Sequence, residues 1–238
     1  MNIHTDSSTI AFPAIPSRDF EDFIYLISHD VRNSVRALIE VPMWIAEDLQ
    51  EEGYKIQGPL ADHMGLMNTH TRRLDRMLND LLVYSRIGRM QAPADIDLAE
   101  AIDDISQEIR IPDGINLEVD LQKPSLHIGE KDGMTLLTAL LSNAVRHRDD
   151  ATSLIRITCR AEGEHTVLTV CDNGPGIAPQ YREKAFAAMT TLKSRDEVEG
   201  SGMGLAHVRK ILCHYNATLT WLDDRSGRGV GFQMRFPT

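Results

Sequence analysis

The sequence predicts an α+β protein: a helical hairpin followed by an α/β sandwich, with a mixed sheet and helices on one of its faces. Three observations predict it. Two long stretches carry apolar residues every third or fourth position. A short connection with Gly53 and Gly58-Pro59 joins them. Beyond residue 95, period-two alternation is interleaved with helix-length stripes.

Residues 1–16 are polar, broken by Pro13 and Pro16, and without periodicity, so they read as a flexible N-terminal arm. Ser17 offers an N-cap, with Asp19 and Glu21 near the positive helix end. The first stripe is Phe20, Ile24, Ile27, Val31, Leu38, Val41 and Ile45, which predicts a helix to about Gln50 with a bend at Pro42. The second stripe is Leu60, Met64, Met67, Leu74, Leu78 and Leu81, ending near Gly88; its methionines read as core filler. One hairpin cannot cover both of its seams. Two copies closing into a four-helix bundle are therefore expected.

Gln91–Asp95 reads as a linker. The second domain then begins with an amphipathic helix from Leu98 to about Ile109, followed by short strands at Asn116–Leu121 and Leu126–Ile128. A helix from about Asp132 to His147 comes next. Strands at Leu154–Arg160 and Thr166–Cys171 alternate apolar and polar residues. A last helix covers about Gly204–Tyr215, and closing strands at Thr218–Leu222 and Gly231–Phe236 flank the turn 223–229. The division is thus 1–16, 17–90 and 91–238.

Composition excludes several classes. The formal net charge of −10 argues against nucleic acid or an anionic membrane as a broad partner, though not against a local phosphate pocket. No apolar run reaches bilayer length and the N-terminus lacks a signal-peptide core, so no membrane segment and a cytoplasmic location are expected. Cys159, Cys171 and Cys213 are odd in number and lack metal spacing, which predicts free thiols.

Four stretches carry candidate chemistry. His29-Asp30 lies off the apolar stripe of the first helix, where a histidine beside a carboxylate can act as a nucleophile with an adjacent base. A solvated surface histidine is the competing reading. Asp172-Asn173-Gly174-Pro175-Gly176-Ile177 follows an apolar strand; its glycines let backbone approach a ligand, and the aspartate can accept from a purine amine. A tight turn would use the same residues. Gly200-Ser201-Gly202-Met203-Gly204-Leu205 opens a helix, whose free amides suit phosphate oxygens; a hinge is the alternative. Asn143 interrupts an apolar helix face, either capping a strand or offering an oxygen to Mg²⁺. Between the glycine clusters, 189–199 reads as a lid, with Lys193 and Arg195 able to offset phosphate charge.

Taken in order over residues 17–238, these motifs resemble a sensor histidine kinase of two-component signalling. His29-Asp30 resembles the phosphoacceptor box of the dimerisation and histidine-phosphotransfer domain, and Asn143 the metal-binding asparagine. Asp172–Gly176 resembles the adenine-binding glycine box, and Gly200–Leu205 the phosphate-binding one. The stretches 143–148 and 192–197 look most like phytochrome-associated kinases. The resemblance implies ATP with Mg²⁺ held by Asn143, Arg146, His147, Asp172, Gly174, Gly176, Ile177, Lys193, Gly200, Gly202, Gly204 and Leu205, with Asn143 facing the metal. It implies His29 as phosphoacceptor, Asp30 as general base, and Asn33 as the residue positioning water for dephosphorylation of the partner. That partner is a response-regulator receiver domain. It further implies a homodimer and a sensor supplied by a separate chain or by the arm.

Five positions depart from the family: Ser34 for a proline, Ala139 for the first asparagine, Met189 for the second lid-flanking phenylalanine, and Asn216-Ala217 for a Gly-Gly pair. The alternative function is a phosphotransfer adaptor that keeps the bundle with a domain unable to bind ATP.

Overall fold

The computed structural model describes residues 9–10, 18–148, 153–192, 200–222 and 228–238. Helix α1 (Arg18–Glu51) and helix α2 (Pro59–Arg86) form the expected antiparallel hairpin. The connection is set by Gly53 at φ 86°. Its N–H donates to Gln50 O at 3.0 Å and that of Tyr54 to Leu49 O at 2.8 Å, which closes the last carbonyls of α1. Pro59 then starts α2 in its first turn, where a missing N–H costs nothing. The expected N-cap, Ser17, lies outside the described residues.

The structure shows which face of α1 the hairpin buries. Against α2, α1 buries Glu21, Ser28, Val35 and Pro42, one residue per heptad, facing Thr71, Leu78, Leu82 and Ser85. The apolar stripe read from the sequence turns away instead: Ile27, Leu38 and Ile45 are 45%, 53% and 48% exposed. Leu60, Met67 and Leu74 of α2 are likewise exposed. Ser28, Thr71 and Ser85 let the two helices approach around Val35, Leu78 and Leu82, and the stripe of α1 stays outside the seam.

Strand β2 (Ala94–Asp97), in the stretch read as linker, pairs antiparallel with β4 (Ser125–Ile128). Asp97 then caps α3 (Leu98–Glu108), its Oδ1 accepting from Ala99 N at 2.8 Å and Glu100 N at 3.2 Å. The main sheet contains β3 (Ile115–Leu121), β5 (Ser153–Glu162), β6 (His165–Asp172), β7 (Thr218–Leu222) and β8 (Gly231–Pro237). A two-residue strand, β1 (Thr9–Ile10), completes it, in the order β1-β7-β8-β6-β5-β3. Only the β3–β5 pair is parallel. β1 falls inside the arm read as loose, with Thr9 opposite Thr220 and Ile10 opposite Leu219.

Helices α3, α4 (Glu130–Arg146) and α6 (Gly204–His214) bury one apolar core against the sheet, in which Leu136, Leu141, Val208 and Ile211 meet Ile157, Leu168 and Met234. A short helix α5 (Arg182–Ala185), not expected from the sequence, carries Phe186 into an edge-on cluster with Trp221 and Phe232. The three cysteines are free, as expected, and burial pushes the Cys159 thiol up to about 11.

Helix α6 is also bolted to the hairpin by polar groups. Lys210 Nζ meets Glu21 Oε1 at 2.5 Å and donates to Tyr84 O at 2.5 Å, the two charged side chains being 3% and 7% exposed. His207 Nε2 lies 2.9 Å from Asp80 O and donates to it, and Arg89 pairs with Asp22 at 2.6 Å. Asp132 Oδ2 accepts from Gly88 N at 3.0 Å and from Tyr215 Oη at 2.7 Å. Burial lowers the pKa of Lys210, against the raising effect of Glu21.

Lys210→Met alone strands the Glu21 carboxylate in a dry seam and should cost about 3–5 kcal/mol in urea unfolding, whereas Glu21→Leu/Lys210→Met should lose far less. Burial also holds the His207 pKa below its ordinary 6.5. Its neutral form is therefore the folded form, and its contribution is complete above about pH 6.5 and lost as pH falls below that value. Stability should drop between about pH 7 and 5.5 more steeply in the wild type than in His207→Gln.

Candidate functional site

A cavity of about 550 Å³ opens between α4, the end of β6, the start of α6 and one face of α2. Its floor is Asp172. β6 ends there because its backbone N–H turns to Val230 O at 2.8 Å, while Asp172 Oδ1 accepts from Gly174 N at 2.9 Å and Val230 N at 3.2 Å. Burial raises the Asp172 pKa, and the two backbone donors oppose that rise. Oδ2 makes no hydrogen bond among the described residues, which leaves one carboxylate oxygen for a ligand donor. Val170, Ile177 and Phe232 line the same end with apolar surface. A flat ring carrying an amine fits this combination.

Gly229 makes this floor possible and was missed in the sequence, where it read only as part of a turn. At φ 81° its N–H donates to Gly174 O at 2.7 Å, and a Cβ there would lie 2.1 Å from Asp172 O. Gly176, at φ 80°, turns the chain beneath the cavity.

The opposite end is built for an anion. Helix α6 starts at Gly204 without a side-chain cap, so its first-turn N–H groups remain available. Gly202 sits at φ 76° with Thr190 O 2.6 Å from where a Cβ would stand. Gly200 lies 3.6 Å, by the same measure, from an Arg146 nitrogen, which brings a guanidinium to the loop. The Asn143 amide borders the cavity, its Oδ1 3.8 Å from the Gly204 Cβ position, and bonds to no described residue. Of the two readings open for Asn143, strand capping is thus excluded. An amide oxygen beside an uncapped helix start fits a hard cation shared with phosphate oxygens, and Asn143 would hold it. Among the described residues no group of three His, Cys, Asp or Glu side chains offers another metal site.

The cavity thus unites Asn143, Arg146, His147, Asp172, Gly176, Ile177, Gly200, Gly202, Gly204 and Leu205. Gly174 stands just behind it, a Cβ there being 2.9 Å from His147 O. Lys193 and Arg195 lie outside the described residues. His29, Asp30 and Asn33 are not in the wall. His29, 62% exposed at its side chain, places Nδ1 3.2 Å from Asp30 Oδ1 and stacks on Tyr25. That Arg76, Asn79, Asp80 and Val83 of α2 close the cavity was not legible in the sequence, since helix period alone does not say what a polar face meets.

The departures are absorbed locally. Asn216 takes φ 51°, which asparagine tolerates in place of glycine, and Ala217 is buried. α1 runs unbroken through Ser34, with Pro42 inside it. Ala139 lines the cavity 3.8 Å from the Gly204 Cβ position.

Residues 130–238 match the family described as histidine kinase-, DNA gyrase B-, and HSP90-like ATPase. The chain is 31% identical over 227 residues to the methanogenesis regulatory histidine kinase FilI of Methanothrix harundinacea, covering 92% of this chain and 25% of that protein. It is 27% identical over 228 residues to the phytochrome-like protein Cph1 of Synechocystis, covering 92% of this chain and 29% of the relative. The chain therefore spans under a third of the length of these two curated relatives. In fold it is similar to full-length ShkA in complex with AMPPNP, with a TM-score of 0.68 at 19% identity over 91% of this chain and 46% of that one.

Asp172→Asn keeps the Oδ1 acceptor for the backbone but turns the free oxygen into a donor. ATP affinity by calorimetry should fall about 10- to 100-fold, with the fold unchanged by circular dichroism.

Proposed function

We propose that the chain, whose residues 130–238 match the histidine kinase-, DNA gyrase B-, and HSP90-like ATPase family, is an ATP-dependent protein-histidine kinase that phosphorylates His29. The observation that carries this reading is the composition of the cavity wall. A nucleotide-shaped site is completed by Asn79 and Val83 of α2, within the hairpin that bears His29-Asp30 on its other helix.

The ring chemistry follows from Asp30. Its carboxylate accepts from Nδ1–H, so Nε2 carries the lone pair and is the attacking atom. The Nε2–P bond forms as the bond from the γ-phosphorus to the β,γ-bridging oxygen breaks and ADP leaves. The Nδ1 proton passes to Asp30, leaving a neutral phosphorylated ring. Adenine rests on Asp172 and the phosphates on Gly200–Gly204 and Arg146, where the α6 amides oppose charge developing at the γ-phosphate. Mg²⁺, held through Asn143, would supply further neutralisation of that charge.

The phosphoryl group then moves to an aspartate of a response-regulator receiver domain, and Asn33, one turn beyond His29, positions water to hydrolyse that aspartyl phosphate and release inorganic phosphate. The exposed stripe Ile27, Val31, Leu38, Val41 and Ile45 supports a homodimer closed as a four-helix bundle. The signal comes from a separate sensor protein or domain. Among the described residues no helix is long and apolar enough to cross a membrane, and a cytoplasmic location accords with that. The working division is hairpin 17–90 and ATP-binding domain 91–238.

Incubation with γ-labelled Mg-ATP should give acid-labile, base-stable label that His29→Ala abolishes. Asp30→Asn should slow labelling about 100-fold or more at unchanged nucleotide affinity. Failure to bind nucleotide would overturn the kinase in favour of a phosphotransfer adaptor, and a monomer by light scattering would overturn the bundle.

A further inference from the structure

Arg32 is the one feature of the phosphoacceptor turn that the reaction above leaves unused. It follows His29 by three residues, so the two side chains are neighbours on one flank of α1. Arg32 Nη2 donates to Asn79 Oδ1 at 2.5 Å. Asn79 is held in turn by α2, its Nδ2 donating to Asp75 Oδ2 at 3.2 Å, and it lines the nucleotide cavity.

The partners of this guanidinium do not balance it. Its single hydrogen bond among the described residues goes to a neutral amide, and it has no carboxylate within ion-pair distance there. Its Nε is buried with no acceptor. The contact with Asn79 lies at an exposed position, so the spare guanidinium donors are open to an arriving anion. The α1–α2 seam supplies none: its buried residues at this level are Ser28, Val35, Leu78 and Leu82. A group that brings negative charge to this spot would be a phosphoryl group arriving at His29.

We propose that Arg32 binds the phosphoryl group during its transfer to His29 and afterwards on the phosphorylated ring, with Asn79 as the positioning residue that aims the guanidinium from the cavity wall. The assignment rests on the histidine-kinase reading for its transfer step, but not for its contact with phosphorylated His29. Two equatorial phosphoryl oxygens accept from the guanidinium as the Nε2–P bond forms. No proton moves to or from Arg32, which stays charged throughout. The fork also fixes where the phosphoryl group sits, between the α2 face of the cavity and the exposed imidazole.

The test separates the two dependences. Potassium phosphoramidate phosphorylates histidine without nucleotide, and the ³¹P resonance absent from His29→Ala reports the modified ring. A neighbouring cation favours the dianion, so the phosphoryl titration midpoint should rise by about half a pH unit or more in Arg32→Ala, and less in Arg32→Lys. With γ-labelled ATP, Arg32→Ala should lower the labelling kcat about 10- to 100-fold with KM for ATP unchanged, and Asn79→Ala should fall between it and the wild type. An unchanged midpoint in Arg32→Ala overturns the assignment, whatever its labelling rate. Loss of rate together with lost ATP affinity or a lower unfolding midpoint also overturns it, in favour of a structural brace between α1 and α2. A shifted midpoint in a protein that takes no label from ATP leaves Arg32 as the phosphoryl ligand and overturns the kinase reading alone.

Discussion

The arrangement depends on a buried charge pair. Lys210 on α6 and Glu21 on α1 meet where water is almost excluded, and neither can leave the other without standing as an isolated charge. Everything that brings the cavity against the hairpin follows from that contact and its neighbours, His207 on Asp80 and Asp132 on Gly88. An apolar seam of equal area would hold the two units together without fixing their register. A lysine that must find both a carboxylate and the Tyr84 carbonyl fixes it to one geometry. Helix α6 therefore has two ends with separate tasks: its N-terminus faces the anion end of the cavity, and its second and third turns grip the hairpin.

The cavity shows how a fold with few charged groups at the site can still be selective. At its Asp172 end one carboxylate oxygen is spent on backbone and the other is kept, with apolar residues around it. Its anion end relies on peptide N–H groups, Arg146 and the close approach that Gly202 permits. Gly174, Gly202 and Gly229 are required because a Cβ at each would collide with backbone. At Gly229 the neighbour is the carbonyl of Asp172 itself.

Much of this was legible in the sequence, for physical reasons that differ by element. Helices α3, α4 and α6 and strands β5 to β8 announce themselves because one face of each is buried in a single core, and burial imposes the period. The glycine clusters were legible because only glycine satisfies positive φ together with close backbone approach. The inner face of the hairpin was not legible. Period identifies a helix but not what its apolar face meets, and α1 turns Glu21, Ser28, Val35 and Pro42 to α2 while Ile27, Leu38 and Ile45 face outward. The wall supplied by Asn79 and Val83 was illegible for the same reason, since it depends on how α6 docks. Strand β2 was hidden because four residues beside a proline carry too little pattern.

Strand β1 shows what the Glu21 contact does for its own end of the chain. Two residues paired to the edge of β7 form a marginal strand if they must be captured from solution. Glu21, anchored a short way downstream, keeps that segment at high effective concentration over the sheet edge. The N-terminal stretch thus behaves as a bivalent ligand of the domain it belongs to: one foot on α6, the other on β7. The β7 foot is weak alone, and the buried Glu21 foot keeps it within reach of the sheet edge.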